Sequence, residues 1–130
     1  SGCTSNVCSL TWLRRFEAIM QTEYPKVKIN DGVKTFIFGA GDEQRELFRV
    51  SLNVTLFGHF VQIVTSVVDS ESTPFLLSRR QLEEWDAVIG VRDNILTLKL
   101  DNEMIKYTAP CSSSNLMLLD LVYHRELVLP

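Results

Sequence analysis

The feature that most constrains the fold is a series of short strand-like runs with turn residues between them. The runs are rich in β-branched, aromatic and leucine residues, and successive turns lie about 8–12 residues apart. The predicted strands are Lys26–Ile29, Thr35–Phe38, Leu47–Leu56, Phe60–Val68, Phe75–Ser78, Ala87–Val91, Ile95–Leu100, Met104–Thr108, Leu116–Leu121 and Tyr123–Leu129. Many short strands at this spacing predict an all-β fold, and within that class a small closed β-barrel.

Two segments interrupt the strand pattern with helical spacing. Leu10–Gln21 places apolar side chains along one face of a helix, and Ser9 stands before it as the expected N-cap. Arg79–Trp85 is a shorter predicted helix that turns Leu82 and Trp85 towards the core. The predicted class is therefore all-β with one or two short helices.

Length and composition limit the class of protein. The chain has 130 residues, of which 45% are apolar and 22% charged, and these values are typical of a folded domain. We expect residues 1–130 to form a single domain. The net charge of -3 argues against nucleic-acid binding, which normally needs a basic face. No apolar run approaches the roughly 20 residues needed to cross a bilayer, so neither nucleic acid nor a membrane is an expected partner.

The three cysteines, Cys3, Cys8 and Cys111, predict neither a disulfide framework nor a metal site. Their number is odd, and no two stand in C-x-x-C spacing. We interpret them as reduced, mostly buried thiols of an intracellular protein, and we expect no metal or cofactor. A cysteine enzyme that pairs one of them with His59 or His124 is compatible with composition alone, but no cysteine-enzyme signature surrounds them.

Two motifs in a fixed order carry the chemical signal. Ser1-Gly2-Cys3 continues through small and polar residues to Val7-Cys8. About 75 residues later, the apolar pair Leu76-Leu77 is followed by the small residue Ser78 and a short helix. Between them, Thr35–Phe38 leads into the turn Gly39-Ala40-Gly41. Over roughly residues 1–100 this order resembles the retropepsin family of aspartic proteases, which is found in retroviruses and in copia- and gypsy-like retrotransposons.

The resemblance implies a role for each motif. Ser1, Gly2 and Cys3 are similar to the residues that follow the catalytic aspartate in Asp-Ser/Thr-Gly, so we expect an aspartate immediately before Ser1. Gly39, Ala40 and Gly41 would form the flap over the substrate. Leu76, Leu77 and Ser78 would form the second motif, in which the family usually has glycine where Ser78 stands. A chain of this family brings one aspartate, so a homodimer would complete the active site.

The predicted function is that of an aspartic endopeptidase acting on an extended polypeptide. The resemblance implies processing of a retroelement polyprotein, in the cytoplasm or within virus-like particles. The chain itself contains no Asp-Ser/Thr-Gly, and Asp31, Asp42, Asp69 and Asp86 lie in other contexts. The alternative is a catalytically inactive protease-fold module for peptide binding or dimerisation. Residues 101–130 lie outside the minimal family pattern and are expected to add C-terminal strands.

Overall fold

A computed structural model describes residues 5–38, 41–71 and 73–108 of the chain. Strands dominate these residues, and two short helices accompany them. The elements are β1 (Asn6–Ser9), α1 (Leu10–Met20), β2 (Lys26–Val27), β3 (Thr35–Phe38), β4 (Asp42–Leu56), β5 (His59–Val68), α2 (Arg79–Glu84), β6 (Val88–Gly90), β7 (Ile95–Leu100) and β8 (Glu103–Thr108). Neither of the two described helices is long and apolar enough to span a membrane.

The hairpin of β4 and β5 is the framework of the larger sheet. The two strands pair antiparallel from Glu46 opposite Val68 to Leu56 opposite His59. Phe57 and Gly58, which connect them, both have positive φ, at 51° and 83°. Two consecutive residues of this kind form the tight turn whose twist matches that of the flanking strands, and this turn sets the register. The opposite edge of β4 pairs with β2 at Val50 and Arg49 and with β3 from Arg45 to Asp42.

β1 lies at the other side of β5 and is parallel to it. Its register runs from Asn6 opposite Thr65 to Ser9 opposite Val68, and all four of its residues are buried. The larger sheet therefore has the order β1-β5-β4-β2, with β3 beside β4. The chain turns directly from β1 into α1, because the Ser9 hydroxyl accepts a hydrogen bond from the backbone N–H of Trp12 at 3.0 Å and caps the helix.

The smaller sheet is antiparallel, in the order β6-β7-β8. Leu96, Leu98 and Leu100 alternate along β7 and are buried, so one face of this sheet points inwards. These leucines belong to the same hydrophobic cluster as Leu52 of β4, Ile63 of β5 and the α1 side chains Leu13 and Phe16. Each such buried side chain stabilises the fold by about 1.5–3 kcal/mol.

The predicted fold class is confirmed, since the described residues are mostly strand with two short helices. Thr35–Phe38 and Ile95–Leu100 are strands with the predicted bounds. Ser9 caps the first helix as predicted. The described strands pair as two separate sheets, so closure into a barrel stays a prediction. The predicted strands at 116–121 and 123–129 lie outside the described residues.

Two local predictions are wrong. Phe75–Ser78 is not a strand: Leu76 alone forms a bridge, to Val7, because Pro74 and the cap of α2 leave too short a segment between them. In the second predicted helix Leu82 is only half-buried and Gln81 is buried instead, whereas Trp85 lies in the core as predicted. Asn6–Ser9, for which no strand was predicted, forms β1.

Candidate active-site region

The two sequence motifs meet in the structure. Val7 of β1 and Leu76 exchange both backbone hydrogen bonds, with Val7 N–H donating to Leu76 C=O at 3.1 Å and Leu76 N–H donating to Val7 C=O at 2.8 Å. Their side chains belong to one small apolar cluster with Val68 of β5. The segment that continues the Ser1-Gly2-Cys3 motif is therefore held directly against the second motif.

The Asn6 side chain makes a second connection between the two motifs. Its Oδ1 accepts a hydrogen bond from the backbone N–H of Ser78 at 2.7 Å. Its Nδ2 donates to Val64 C=O at 3.0 Å and to Gln81 Oε1 at 3.2 Å. Because Asn6, Ser78 and Gln81 are all buried, these bonds satisfy polar groups that would otherwise cost free energy.

Ser78 has a structural role of its own. Its hydroxyl accepts a hydrogen bond from the backbone N–H of Gln81 at 3.0 Å and caps α2. Its φ of -79° and ψ of 157° are ordinary extended values, so the backbone here does not require glycine. Serine is thus compatible with the local geometry, and it adds a helix cap that glycine lacks.

β3 and β4 form an antiparallel hairpin, and the flap role predicted for Gly39, Ala40 and Gly41 stays a prediction. β3 and β4 pair from Thr35 opposite Arg45 to Phe38 opposite Asp42, and the N–H of Gly41 donates to Phe38 C=O at 3.2 Å. Gly41 has φ of +96°, a conformation that favours glycine. At the base of the hairpin, Phe36 packs in the same cluster as Val7, with Leu76 against it.

A polar cleft of about 320 Å³ opens where these three parts of the chain converge. Ser5 and Asn6 come from the first motif, Lys34 from the residue before β3, and Ser78 and Arg80 from the second motif. Lys34 Nζ hydrogen-bonds to the Ser5 hydroxyl. The remaining wall is formed by β4, β5 and the rest of α2, through Arg49, Gln62, Val64, Ser66, Gln81 and Glu84.

A buried ion pair lies beside the cleft. Arg49 binds Glu46 with two nitrogens, Nε to Oε2 at 2.7 Å and Nη2 to Oε1 at 2.9 Å. Glu46 also accepts hydrogen bonds from the Ser66 hydroxyl and from the backbone N–H of Lys34. Burial raises the pKa of Glu46, but these hydrogen bonds outweigh it and hold the pKa below its usual value. The pair therefore fixes Lys34 and β3 to the larger sheet.

Asp31 is the second carboxylate that binds Arg49. Its Oδ1 accepts from Arg49 Nη1 at 2.8 Å, and Gly32 C=O accepts from Nη2 at 3.1 Å. The hydrogen bond from Arg49 lowers the pKa of Asp31. Asp31 thus forms an exposed ion pair at the turn after β2.

The described residues give no support to a cysteine enzyme. Cys8 is fully buried, and burial raises the pKa of its thiol to about 12 despite a hydrogen bond with Thr65, so a reactive thiolate is not formed at neutral pH. His59 is engaged elsewhere, with Asp101 Oδ2 and Glu103 Oε2 each 2.8 Å from one ring nitrogen. In residues 5–38, 41–71 and 73–108, no group of three or more His, Cys, Asp or Glu side chains could hold a metal ion.

Of the predicted site residues, Gly41, Leu76, Leu77 and Ser78 lie in the region just described. Ser1, Gly2, Cys3, Gly39 and Ala40 lie outside the described residues, and their roles stay predictions. The contributions of Asn6, Lys34, Glu46 and Arg49 were not predicted from the sequence. Only Asn6 carried a local signal, since it lies within the first motif; the other three are charged residues in or beside strands, where a solvent-exposed position is the usual expectation.

No protein-family model and no curated protein matches this chain. A solved structure to which it is similar is the retroviral protease-like domain of Ddi1 from Leishmania major. The TM-score is 0.46 and the sequence identity 16%, over 80% of this chain and 76% of that chain.

Proposed function

We propose that this chain forms one half of a retropepsin-type aspartic endopeptidase, with the catalytic aspartate immediately before Ser1 and a homodimer as the active species. The observation that carries the proposal is the contact between the two motifs. Val7 and Leu76 are joined by two backbone hydrogen bonds, and Asn6 and Ser78 by a third bond. If the two sequence motifs belong to one active site, they must be in contact in the folded chain. Their contact therefore supports the proposal.

The chemistry follows from pairing two such chains. Two carboxyl groups about 3 Å apart cannot both be ionised, so they share one proton. The ionised group activates a water molecule, and the protonated group donates a hydrogen bond to the carbonyl oxygen of the scissile peptide. The pair titrates with two macroscopic pKa values, and activity is expected at mildly acidic pH. We further propose that the natural substrate is a retroelement polyprotein.

The hairpin of β3 and β4 suits an extended substrate. In the described residues β3 pairs only with β4, and Ile37 at its centre is 74% exposed. An extended peptide can lie along such a strand, with alternate side chains read by pockets. Closure of the hairpin tip at Gly39–Gly41 would exclude water from the reacting bond.

The test is cleavage of fluorogenic octapeptides by the protein carrying its natural upstream residues, at mildly acidic pH, with and without a pepstatin-like inhibitor. Replacement of the aspartate before Ser1 by asparagine should abolish turnover. The matched control is Asp86→Asn, because Asp86 is exposed with φ of 48°, a conformation that asparagine also tolerates. Absence of cleavage by a dimeric wild-type protein, or a monomer at all concentrations in sedimentation, would sink the enzyme proposal.

The second candidate function is a catalytically inactive module that binds extended peptides. The edge of β3 that no other described strand pairs with favours it, since strand addition needs no acid. Tight binding of octapeptides without turnover, unaffected by the aspartate-to-asparagine change, is the result expected for this alternative.

A further inference from the structure

The cleft between the motifs is well placed to contact a bound peptide. It lies next in sequence to the Ser1-Gly2-Cys3 motif through Ser5 and Asn6, and beside the base of the β3–β4 hairpin through Lys34. Its volume of about 320 Å³ lies at the lower end of the range for ligand sites, about 300–1,000 Å³. A cleft of this size accommodates a side chain of an extended peptide rather than a large separate ligand.

Three of the neutral side chains of the cleft already donate hydrogen bonds within the protein. Asn6 donates to Val64 C=O and to Gln81. Gln62 Nε2 donates to the Ser51 hydroxyl at 2.6 Å, and the Ser66 hydroxyl donates to Glu46. These side chains therefore have few remaining hydrogen-bond donors for an incoming ligand.

The cations of the cleft differ in how far they are already paired. Arg49 is bound by Glu46 and Asp31, so its charge is compensated. Lys34 contacts a hydroxyl rather than a carboxylate. Arg80 is exposed and makes no ion pair within the part of the chain that the structure describes.

The anion of the cleft does not neutralise both of these cations. Glu84 lies on its wall and accepts a hydrogen bond from Gln81 Nε2 at 3.2 Å. One lining carboxylate is matched by two lining cations, Lys34 and Arg80, which make no ion pair among the described residues. The charge of Lys34 also acts on Asp31, but that carboxylate is bound to Arg49. Hydrogen bonds from such cations to a carboxylate are stronger than those between neutral groups. Val64, 40% exposed on the cleft wall, offers an apolar surface for the methylene groups that carry a carboxylate.

We infer that this cleft is a substrate subsite that binds an acidic side chain, glutamate or aspartate, of an extended peptide through Lys34 and Arg80. The inference rests on the proposed function, because it assigns a specificity to the same active-site region. Substrates are then peptides with an acidic residue at one fixed position relative to the scissile bond.

The test compares fluorogenic octapeptides that differ only by Glu or Gln at each position in turn. Wild-type protein should cleave the Glu peptide with a kcat/KM about fivefold to tenfold higher at one position, and the preference should shrink with added salt. Lys34→Gln and Arg80→Gln should each reduce this ratio towards one, and the double charge reversal K34E/R80E should invert it. Arg79→Gln is the matched control, since Arg79 is the neighbouring exposed arginine, pairs with Glu83 at 3.2 Å and does not line the cleft.

A parallel binding measurement separates failure of the inference from failure of the proposed function. Fluorescein-labelled Glu and Gln octapeptides are titrated with wild-type protein and with the same variants, each checked for native folding by its circular dichroism spectrum and Tm. Cleavage with equal kcat/KM for Glu and Gln peptides at all positions overturns the acidic subsite and leaves the enzyme proposal intact. A Glu preference in binding that is lost in Arg80→Gln, without any cleavage, supports the subsite and counts against the enzyme. A preference that Arg79→Gln removes as completely as Arg80→Gln also overturns the assignment to this cleft.

Discussion

The backbone N–H of Ser78 donates a 2.7 Å hydrogen bond to Asn6 Oδ1, although the two residues are 72 positions apart in the sequence. Both residues are buried, so the bond lies in a protein environment where an unpaired polar group is costly. It joins β1, within the first motif, to the N-cap of α2, within the second. The free energy of unfolding that is lost when this bond is removed therefore measures how much the bond stabilises the proposed active-site region.

Asn6→Ala is expected to destabilise the protein by about 1–3 kcal/mol, because it leaves the buried N–H of Ser78 and the carbonyl oxygen of Val64 without their partner. The measurement is urea unfolding at neutral pH. Asn53→Ala is the matched control, since Asn53 is an exposed asparagine on β4 and its loss should change the free energy of unfolding by less than about 0.5 kcal/mol. Equal effects of the two substitutions would contradict the role given to Asn6.

Glu46→Gln is expected to reduce the free energy of unfolding by about 2–3 kcal/mol at pH 7, because it removes a charge that hydrogen-bonds Arg49 twice in a largely buried position. The pKa of Glu46 is below its usual value of 4.5. Its ionisation therefore stabilises the fold above that value, and this stabilisation is lost as the pH falls through the lower, folded-state pKa.

Urea unfolding at a series of pH values checks the sign of this effect. The difference between wild type and Glu46→Gln should be largest above about pH 4.5 and should shrink as the pH is lowered. Glu43→Gln is the control on the same strand, since Glu43 is exposed. A difference that grows on acidification would show that the Glu46 pKa is raised rather than lowered.

His59 is expected to hold its proton more tightly than an isolated imidazole does. The carboxylate of Asp101 and, to a smaller extent, that of Glu103 accept hydrogen bonds from the ring and raise the pKa of His59 above the usual value of 6.5, and burial of the ring opposes them only in part. A raised pKa stabilises the fold fully below 6.5, and this contribution disappears as the pH rises through the folded-state value. The titration of the His59 ring protons by NMR, assigned with His59→Gln, should give a midpoint above 6.5.

The same arrangement predicts a pH-dependent difference in stability. The Tm of wild type relative to His59→Gln should fall as the pH increases through the His59 midpoint, because Asp101 at the β7–β8 turn and Glu103 of β8 lose their cationic partner at the start of β5. An NMR midpoint below 6.5, or a Tm difference that rises with pH, would be inconsistent with the two 2.8 Å contacts.

Cys8 is expected to be inert towards alkylation in the folded protein. Its side chain is fully buried and burial raises the pKa of the thiol to about 12, so both access and thiolate formation are suppressed. Native protein treated with iodoacetamide at about pH 8 and then digested should contain unmodified Cys8 peptide by mass spectrometry. The same treatment in urea should modify Cys8 completely. Rapid modification without urea would contradict its burial in β1.

The parts of the fold that could be predicted from the sequence are those with a local signal. Thr35–Phe38 and Ile95–Leu100 are bounded by turn residues, and Ser9 precedes a helical apolar pattern, so their positions follow from nearby residues alone. β1 could not be predicted this way, because Asn6–Ser9 contains only one β-branched residue. It is a strand because β5 and Leu76 supply its partners.

The candidate site likewise has parts that could be predicted from the sequence and parts that could not. The motif order indicated which segments belong together, and Val7 and Leu76 are in contact as that order requires. The charged residues around the cleft were not predicted, because Glu46 and Arg49 lie three residues apart on an alternating strand, where opposite faces are expected. A β-bulge between Glu46 and Phe48 shifts the register of β4 and brings both side chains to the same side.

The parallel pairing of β1 with β5 has a consequence for the order of folding. The β4–β5 hairpin and the β6–β7–β8 meander are built from neighbours in the sequence and can form as soon as their own residues are present. β1 has no sheet partner until Thr65–Val68 exist, and Asn6 lacks its hydrogen-bond partners until Ser78 and Gln81 have been made. Contacts of such long range are slow to form. On the ribosome, β1 is thus synthesised well before the residues that pair with it, and it acquires its native neighbours only after Ser78 and Gln81 have emerged.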